Sequence, residues 1–332
     1  MAFLERERSI LMMKLRSVVT RTTLAGLAAL ALAGCSATVV NHAPPPASAP
    51  HEAAVTLESD APDSARWLFG SGEAAAASIQ AFRQLADYAI AKSRQRSIPQ
   101  SVPLGLPGAA NGVGQPSCRE GNRIKPLAVH FDVDETLMLN LGAEYQKALR
   151  GGTFDPQLWD RWEADGSPGA APVPGAVTAL RRLREAGITP VFNTNRAAAN
   201  AAQTVAALER LGLGRVVHGE TLFLRGDDDT GSRKDGRRAR IAERWCVIAV
   251  AGDNLGDFAD VFNYSDLGVQ ARRGLAARGE FAQLWGNGWF VLPNPVYGAS
   301  IRGNLGEVFP PDARWQPGTR VRTAPDIMTQ GD

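Results

Sequence analysis

Phe131-Asp-Val-Asp-Glu-Thr-Leu137 is the stretch on which the fold turns. It continues the apolar run Leu127-Ala-Val-His-Phe131, then breaks it with two aspartates two residues apart and Thr136. A short, continuous apolar run suits a strand buried on both faces. In an open α/β sheet, ligands collect beyond the carboxyl ends of such strands. Two carboxyl groups leaving a strand at a turn can converge on one ligand. One can then attack phosphorus while the other serves as general acid and afterwards as base. A DxD alone says little, and Asp227-Asp-Asp229 reads as a solvated loop; the strand before Asp132 and Asp134 gives that pair its weight.

On either side the same texture repeats. Thr189-Pro-Val-Phe192, Thr221-Leu-Phe-Leu224, Val247-Ile-Ala-Val-Ala251 and Trp289-Phe-Val-Leu292 are further short apolar runs. Helix-like stretches near 175–187, 197–212, 236–245 and 274–285 lie among them. That alternation predicts an α/β fold, a doubly wound parallel sheet with helices on both faces. Residues from about Asn140 to Pro174 break the alternation, carry Phe154, Trp159 and Trp162, and are read as a small helical cap inserted after the first strand. Upstream, Trp67, Leu68, Ile79, Phe82, Leu85, Ala86, Ala89 and Ile90 recur at helical spacing between Ser64 and Ser97, an N-terminal helical extension. Residues 99–116 read as a Pro/Gly-rich loop, so 63–125 form helix and loop and 126–332 the core.

Three more groups stand at strand or helix ends. Val191-Phe-Asn-Thr-Asn-Arg196 leaves a strand with a hydroxyl and is expected to open a helix, which suits Thr194 and helix N-terminal amides to a phosphoryl oxygen. Thr194 also fits a plain helix cap. Lys234 stands ahead of a helix and could set a fixed positive charge beside a phosphate, or be one surface charge among Arg233, Arg237 and Arg238. Asp253 and Asp257 follow the run 247–251 and offer hard oxygen ligands suited to Mg²⁺, with helix capping as the other reading of Asp257.

These pieces, in this order, resemble the four motifs of the haloacid dehalogenase (HAD) superfamily, and more closely the class C nonspecific acid phosphatases, bacterial outer-membrane lipoproteins. The residues that carry the likeness are Asp132-Val-Asp-Glu-Thr136, Asn195-Arg196, Gly252-Asp-Asn-Leu-Gly-Asp-Phe258 and Leu292-Pro-Asn-Pro-Val-Tyr-Gly298, with Trp67 and Ser71-x-Glu73 in agreement. The resemblance implies Asp132 as nucleophile, Asp134 as general acid/base, Thr194 as phosphate-binding hydroxyl and Lys234 as charge stabiliser. It implies Mg²⁺ held by Asp132, the Asp134 backbone carbonyl and Asp253, with Asp257 as outer-shell orienter or further ligand. Asn195 and Arg196 are expected at the substrate, as are Phe154 and Tyr297, sandwiching an aromatic leaving group such as a nucleobase. The implied activity is hydrolysis of small phosphomonoesters, with nucleoside 5′-monophosphates favoured by the aromatic pair, at the acidic pH that keeps a general acid protonated. Two departures are visible: Gly256 where many members carry an acidic residue, and Asp235-Gly236 after the lysine. Cys118 and Cys246 precede strands that are parallel neighbours in the family fold, so a disulfide between them is compatible with it, as are two free thiols. A homodimer is a family-level option.

The N-terminus carries an address. Lys14, Arg16 and Arg21 precede the apolar run 23–33, far short of the roughly 20 residues that span a bilayer. With that basic flank, residues 1–34 read as a signal peptide. Leu32-Ala33-Gly34-Cys35 resembles a bacterial lipobox, which implies lipidation of Cys35 and, with Ser36 following, an outer-membrane position facing periplasm or exterior. Residues 35–62, with Ala43-Pro-Pro-Pro-Ala-Ser-Ala-Pro50, read as a flexible tether. A net charge of +2 gives no reason to expect a nucleic-acid partner. Four histidines without an Arg-His-Gly triplet exclude histidine phosphatases, and no zinc cluster is present in the sequence pattern. His130, mid-strand, reads as a satisfied core histidine. Two competing functions stay open at this level: a haem- or ligand-binding surface lipoprotein that kept only the fold, and phosphotransfer to an alcohol acceptor.

Overall fold

The computed structural model describes residues 57–318. The residues read as signal peptide, Cys35 and most of those read as tether lie outside them. Among the described residues, no helix is long and apolar enough to cross a membrane.

Five parallel strands form the central sheet: β1 (Leu127–Phe131), β2 (Thr189–Ala197), β3 (Leu222–Arg225), β4 (Cys246–Gly252) and β5 (Trp289–Val291). Their spatial order is β5-β4-β1-β2-β3. The chain winds outward from β1 through β2 to β3, then returns to the other side of β1 for β4. The point of reversal, between β1 and β4, is where a doubly wound sheet opens its ligand crevice. Register puts Phe131 beside both Ala251 and Phe192. Asp132 therefore leaves the sheet next to Asp253.

Side chains alternate across the strands. Val129 and Phe131 face one core with Phe192, Ile248, Leu180 and Phe82. That layer is built from α1 (Gly72–Ser93), α4 (Ala176–Glu185) and α5 (Ala201–Arg210). Ala128, Val191 and Val250 face the other, with Ile241 of α6 (Asp235–Arg244) and an aromatic cluster of Phe258, Phe262, Phe281 and Trp289. Trp289 and Phe258 are 5.1 Å apart between ring centroids.

The cap is two helices, α2 (Leu141–Ala148) and α3 (Pro156–Ala164). It leaves and rejoins the core through a short antiparallel pairing of Met138–Leu139 with Ala171–Pro172. Asp155 caps α3, accepting the amides of Gln157 and Leu158.

Several expectations are corrected. The helix between Ser64 and Ser97 is broken: a π-helical turn, Arg66–Gly70, precedes Ser71, whose Oγ accepts the Ala74 amide and starts α1. Nor is α1 an appendage, since Phe82, Leu85 and Ala86 are buried in the main core. The 99–116 loop contains a small antiparallel pair, Leu104–Gly105 with Val113–Gly114. The expected 274–285 helix is α7 (Val269–Ala277) and a separate turn, Gly279–Ala282, split where Gly279 takes φ +62°. No helix opens at Thr194: β2 runs on to Ala197 and α5 begins at Ala201, so the helix-cap reading of Thr194 is excluded. Asp227 and Asp228 are half-buried and bonded rather than solvated; Asp227 accepts the Leu224 amide and pairs with His218. Of the two alternatives left open for Cys118 and Cys246, the disulfide is the one formed.

Candidate active site

Asp132, one residue past β1, is buried against two carboxylates that follow β4. One oxygen from each of Asp132, Asp253 and Asp257 lies within 4.8 Å of the others. Asp253 is held by donors on both oxygens, Thr136 Oγ1 at 2.8 Å, Asn254 Nδ2 at 2.7 Å and Asn294 Nδ2 at 2.5 Å. Lys234 Nζ donates to Asp257 Oδ1 at 2.7 Å and to Asp132. Burial pulls the lysine toward neutrality, but Asp132 and Asp257 outweigh it and its pKa is raised. Burial pushes the Asp132 carboxyl well above the ordinary range despite Lys234, and lifts Asp253 to about 7 with help from Asp257. Three buried carboxylates against one ammonium leave an excess of negative charge. A divalent cation held through oxygen would neutralise it, so the donor set fits the Mg²⁺ expected here.

The helix-cap reading of Asp257 is met, alongside a bond from Lys234. Oδ1 receives Lys234, and Oδ2 accepts the Asn254 amide at 2.9 Å as a cap on the turn that follows. At Gly256 a Cβ would meet the side-chain amide of the exposed Asn263, with Nδ2 at 2.0 Å.

Asp134 emerges beside Asp132 but is held by another set. Oδ2 accepts from Thr194 Oγ1 at 3.0 Å, and Oδ1 from Arg196 Nε at 2.9 Å and Asn140 Nδ2 at 3.0 Å. Its backbone carbonyl, expected as a metal ligand, accepts the Tyr297 hydroxyl at 3.3 Å. Arg196 is fully buried; Nη1 goes to Ser167 and Nη2 to Asn140, each at 2.8 Å. Its guanidinium is thus committed within the protein rather than turned to a substrate. Asn195 is exposed, and its Oδ1 accepts Arg237 Nη2 at 2.7 Å.

Glu135 was not singled out in the sequence, yet it is buried at left-handed φ of +56°, an uncommon backbone for a residue with a Cβ. Burial, then neighbouring Asp134, raises its carboxyl to about 8. It accepts the Asn140 amide at 2.9 Å, so it pins the residue that opens the cap. On the far side, Glu163 of α3 accepts the Ala197 amide at 2.8 Å and ties the cap to the end of β2.

The aromatic expectations divide. Tyr297 reaches the centre of the site, with Lys147 Nζ 6.0 Å from its ring centroid. Phe154 is 60% exposed on a cleft between the cap helices that also holds Lys147, Leu158 and Trp159. Trp159 is half-buried with Arg196 against its ring at 5.8 Å, whereas Trp162 is core and donates to Asn140.

Arg237 and Arg238 are not surface charges beside Lys234; both are fully buried. Arg237 donates to Asn193 Oδ1 at 2.7 Å and to Asn195, on either side of Thr194. His130 is buried as expected, but neither ring nitrogen has a partner among the described residues, so it is not the satisfied histidine the sequence suggested. Burial, with Arg238, Lys234 and Arg237 nearby, holds it neutral.

Solved structures of similar fold include a class C acid phosphatase from Bacillus anthracis, 23% identical, with 71% of this chain and 84% of that chain covered at a TM-score of 0.52. A structure of a class C acid phosphatase from the same organism with tungstate bound is 22% identical, with 76% and 89% covered at 0.54. At that identity the likeness speaks for the fold. No curated protein matches the chain. Residues 114–300, more than half of the chain, match the family described as HAD superfamily, subfamily IIIB (Acid phosphatase), and with DxDxT, threonine, lysine and paired aspartates gathered at one switch point the chain belongs to that family.

Proposed function

We propose that this acid phosphatase is Mg²⁺-dependent and hydrolyses small phosphomonoesters, nucleoside 5′-monophosphates among them, through an aspartyl-phosphate on Asp132. The observation that carries the reading is the convergence of Asp132, Asp253 and Asp257 with Lys234 between two of them. Asp132, Asp253 and Asp257 would hold the cation, which supplies charge neutralisation for phosphoryl oxygens. Asp132 attacks phosphorus in line, and Lys234 steadies the charge on nucleophile and phosphoryl group. Thr194 offers its hydroxyl to a phosphoryl oxygen. Asp134 protonates the departing alcohol oxygen, then takes a proton from the water that cleaves the aspartyl-phosphate. For that, Asp134 must exchange one of its present donors, Thr194, Arg196 or Asn140, for the substrate.

The nucleotide preference is supported by Phe154 and Tyr297, whose rings flank the cap and the site. Export and anchoring through Cys35 rest on the N-terminal sequence; Cys35→Ser should move the protein from membrane to soluble fractions. Nucleotides cross the inner membrane poorly, so removing phosphate before nucleoside uptake suits that address.

The decisive test is Asp132→Asn assayed with a chromogenic phosphate ester and Mg²⁺. Turnover should disappear, and retained turnover would remove Asp132 as nucleophile. Adding a nucleoside acceptor separates hydrolysis from phosphotransfer.

A further inference from the structure

Asp260 belongs to none of the motifs read from the sequence, yet its carboxylate is buried directly behind Lys234. Oδ1 accepts the Lys234 amide at 2.8 Å and Oδ2 the Asp235 amide at 3.1 Å. The side chain of Lys234, which begins α6, makes no cap of its own. Asp260 therefore caps that helix from a different segment and fixes the backbone from which the lysine side chain departs.

Arg238 holds Asp260 in turn. Nη2 donates to Asp260 at 3.1 Å and to Asp235, whose Oδ1 accepts the Asp260 amide at 3.1 Å. Nη1 donates to the carbonyls of Gly256 at 3.1 Å and Asp257 at 2.9 Å. Nε donates to the carbonyl of Gly105 at 3.1 Å, and the Gly105 amide donates to the Phe258 carbonyl at 2.9 Å. Gly105 lies outside the family-matched residues 114–300. It has no room for a side chain: a Cβ there would meet Asp235 Oδ1 at 2.3 Å and Ala259 Cα at 2.4 Å. Three segments distant in sequence thus close on one buried guanidinium behind the lysine.

We propose that Asp260, held by Arg238, is a positioning residue for catalysis, a cross-brace that sets Lys234 Nζ between Asp132 and Asp257. This inference rests on the role given to Lys234 above. A lysine on a four-carbon stem has many rotamers, and a mobile helix start would let the ammonium wander from both carboxylates. The brace removes that freedom without touching substrate. A buried carboxylate that only stabilised the fold would lower melting temperature and active fraction, not the turnover of correctly folded molecules.

The test is a cycle of Asp260→Asn and Lys234→Ala in the full chain with Mg²⁺, with turnover corrected for folded fraction and melting temperature measured for every variant. Asp260→Asn should lower kcat by about tenfold or more with KM within about twofold, since an amide cannot accept both backbone N–H groups and Arg238 together. In the Lys234→Ala background the same change should alter kcat by less than about threefold, because nothing is left to position. If Asp260→Asn does not fold, Asp235→Ala, which removes the acceptor of the Asp260 backbone amide and of Arg238, takes its place with the same expectations. Wild-type kcat in either single brace variant, or an equal loss in both backgrounds, overturns the proposal. A Lys234→Ala enzyme with undiminished kcat would instead remove the role of the lysine, and the brace with it, and is told apart by being seen in that single variant.

Discussion

Arg196 Nε lies 2.9 Å from Asp134 Oδ1, and the guanidinium behind it has no exposure to solvent. One buried cation therefore orients the proposed acid/base, while its other nitrogens reach Ser167 and Asn140 at the root of the cap. Planar guanidinium suits this work because its donors diverge at fixed angles.

Removing that cation should hurt twice. Arg196→Ala leaves buried acceptors unpaired and is expected to cost about 3–5 kcal/mol of stability. Loss of orientation at Asp134 should lower kcat roughly a hundredfold. Arg196→Lys keeps the charge but cannot serve Asp134, Ser167 and Asn140 together, and should retain about a tenth of wild-type kcat or less. Urea midpoints and turnover of a chromogenic ester check both; an Arg196→Lys enzyme of full activity would contradict the arrangement.

In chelator, stability should fall as pH rises. Asp253 and Glu135 have folded-state pKa values of about 7 and about 8, against ordinary values of 3.8 and 4.5. Between those limits the folded state holds protons that the unfolded chain has lost. The contribution is full below about pH 4 and disappears as pH passes through 7 and 8. Each group contributes up to about 1.4 kcal/mol per pH unit within its window. Asp253→Asn should flatten the decline, and Mg²⁺ should restore more stability at pH 8 than at pH 5. Thermal melts across that range provide the measurement; a melting temperature with the same pH slope in Asp253→Asn would count against it.

The disulfide joins residues 128 apart in sequence, tying the first residue of β4 to the segment before β1. By loop-closure entropy a cross-link of that span is worth about 4–5 kcal/mol. A Cys118→Ser, Cys246→Ser double variant should lose most of that in denaturant titrations, and denatured, unreduced wild type should show no free thiol from either residue.

Phe154 is exposed at 60% and packs only loosely, at 6.3 Å from Trp159, so Phe154→Ala should leave the melting temperature nearly unchanged. If its ring stacks on a leaving group, KM for a nucleoside 5′-monophosphate should rise by about tenfold, in keeping with roughly 1–3 kcal/mol for base stacking. KM for a small alkyl phosphate should not move. Equal effects on both substrates would remove Phe154 from recognition.

Much of the site was legible because its signals are local. An apolar strand ending in Asp132 and Asp134, and another ending before Asp253 and Asp257, place four carboxyls at strand ends whatever the rest of the chain does. Lys234 was legible as a charge for the site only with a surface charge as the alternative, since its neighbours Arg233, Arg237 and Arg238 look alike in a string of charges. The helix start expected at Thr194 was wrong because β2 continues to Ala197, held beside β3, and long-range pairing outweighed the local pattern.

The sequence by itself determined the alternation of strands and helices, the winding that follows from it, and the residue types gathered at strand ends. Those depend on hydrophobic periodicity and on turns, which act over a few neighbouring residues. Only the tertiary structure decided which charges are buried and whom they meet: Arg196 under Asp134, Arg237 beside Thr194, Arg238 and Asp260 behind Lys234. A buried charge is tolerated only where distant segments bring its counter-charges and hydrogen-bond partners to it, and that meeting is a property of the folded chain rather than of any stretch of it.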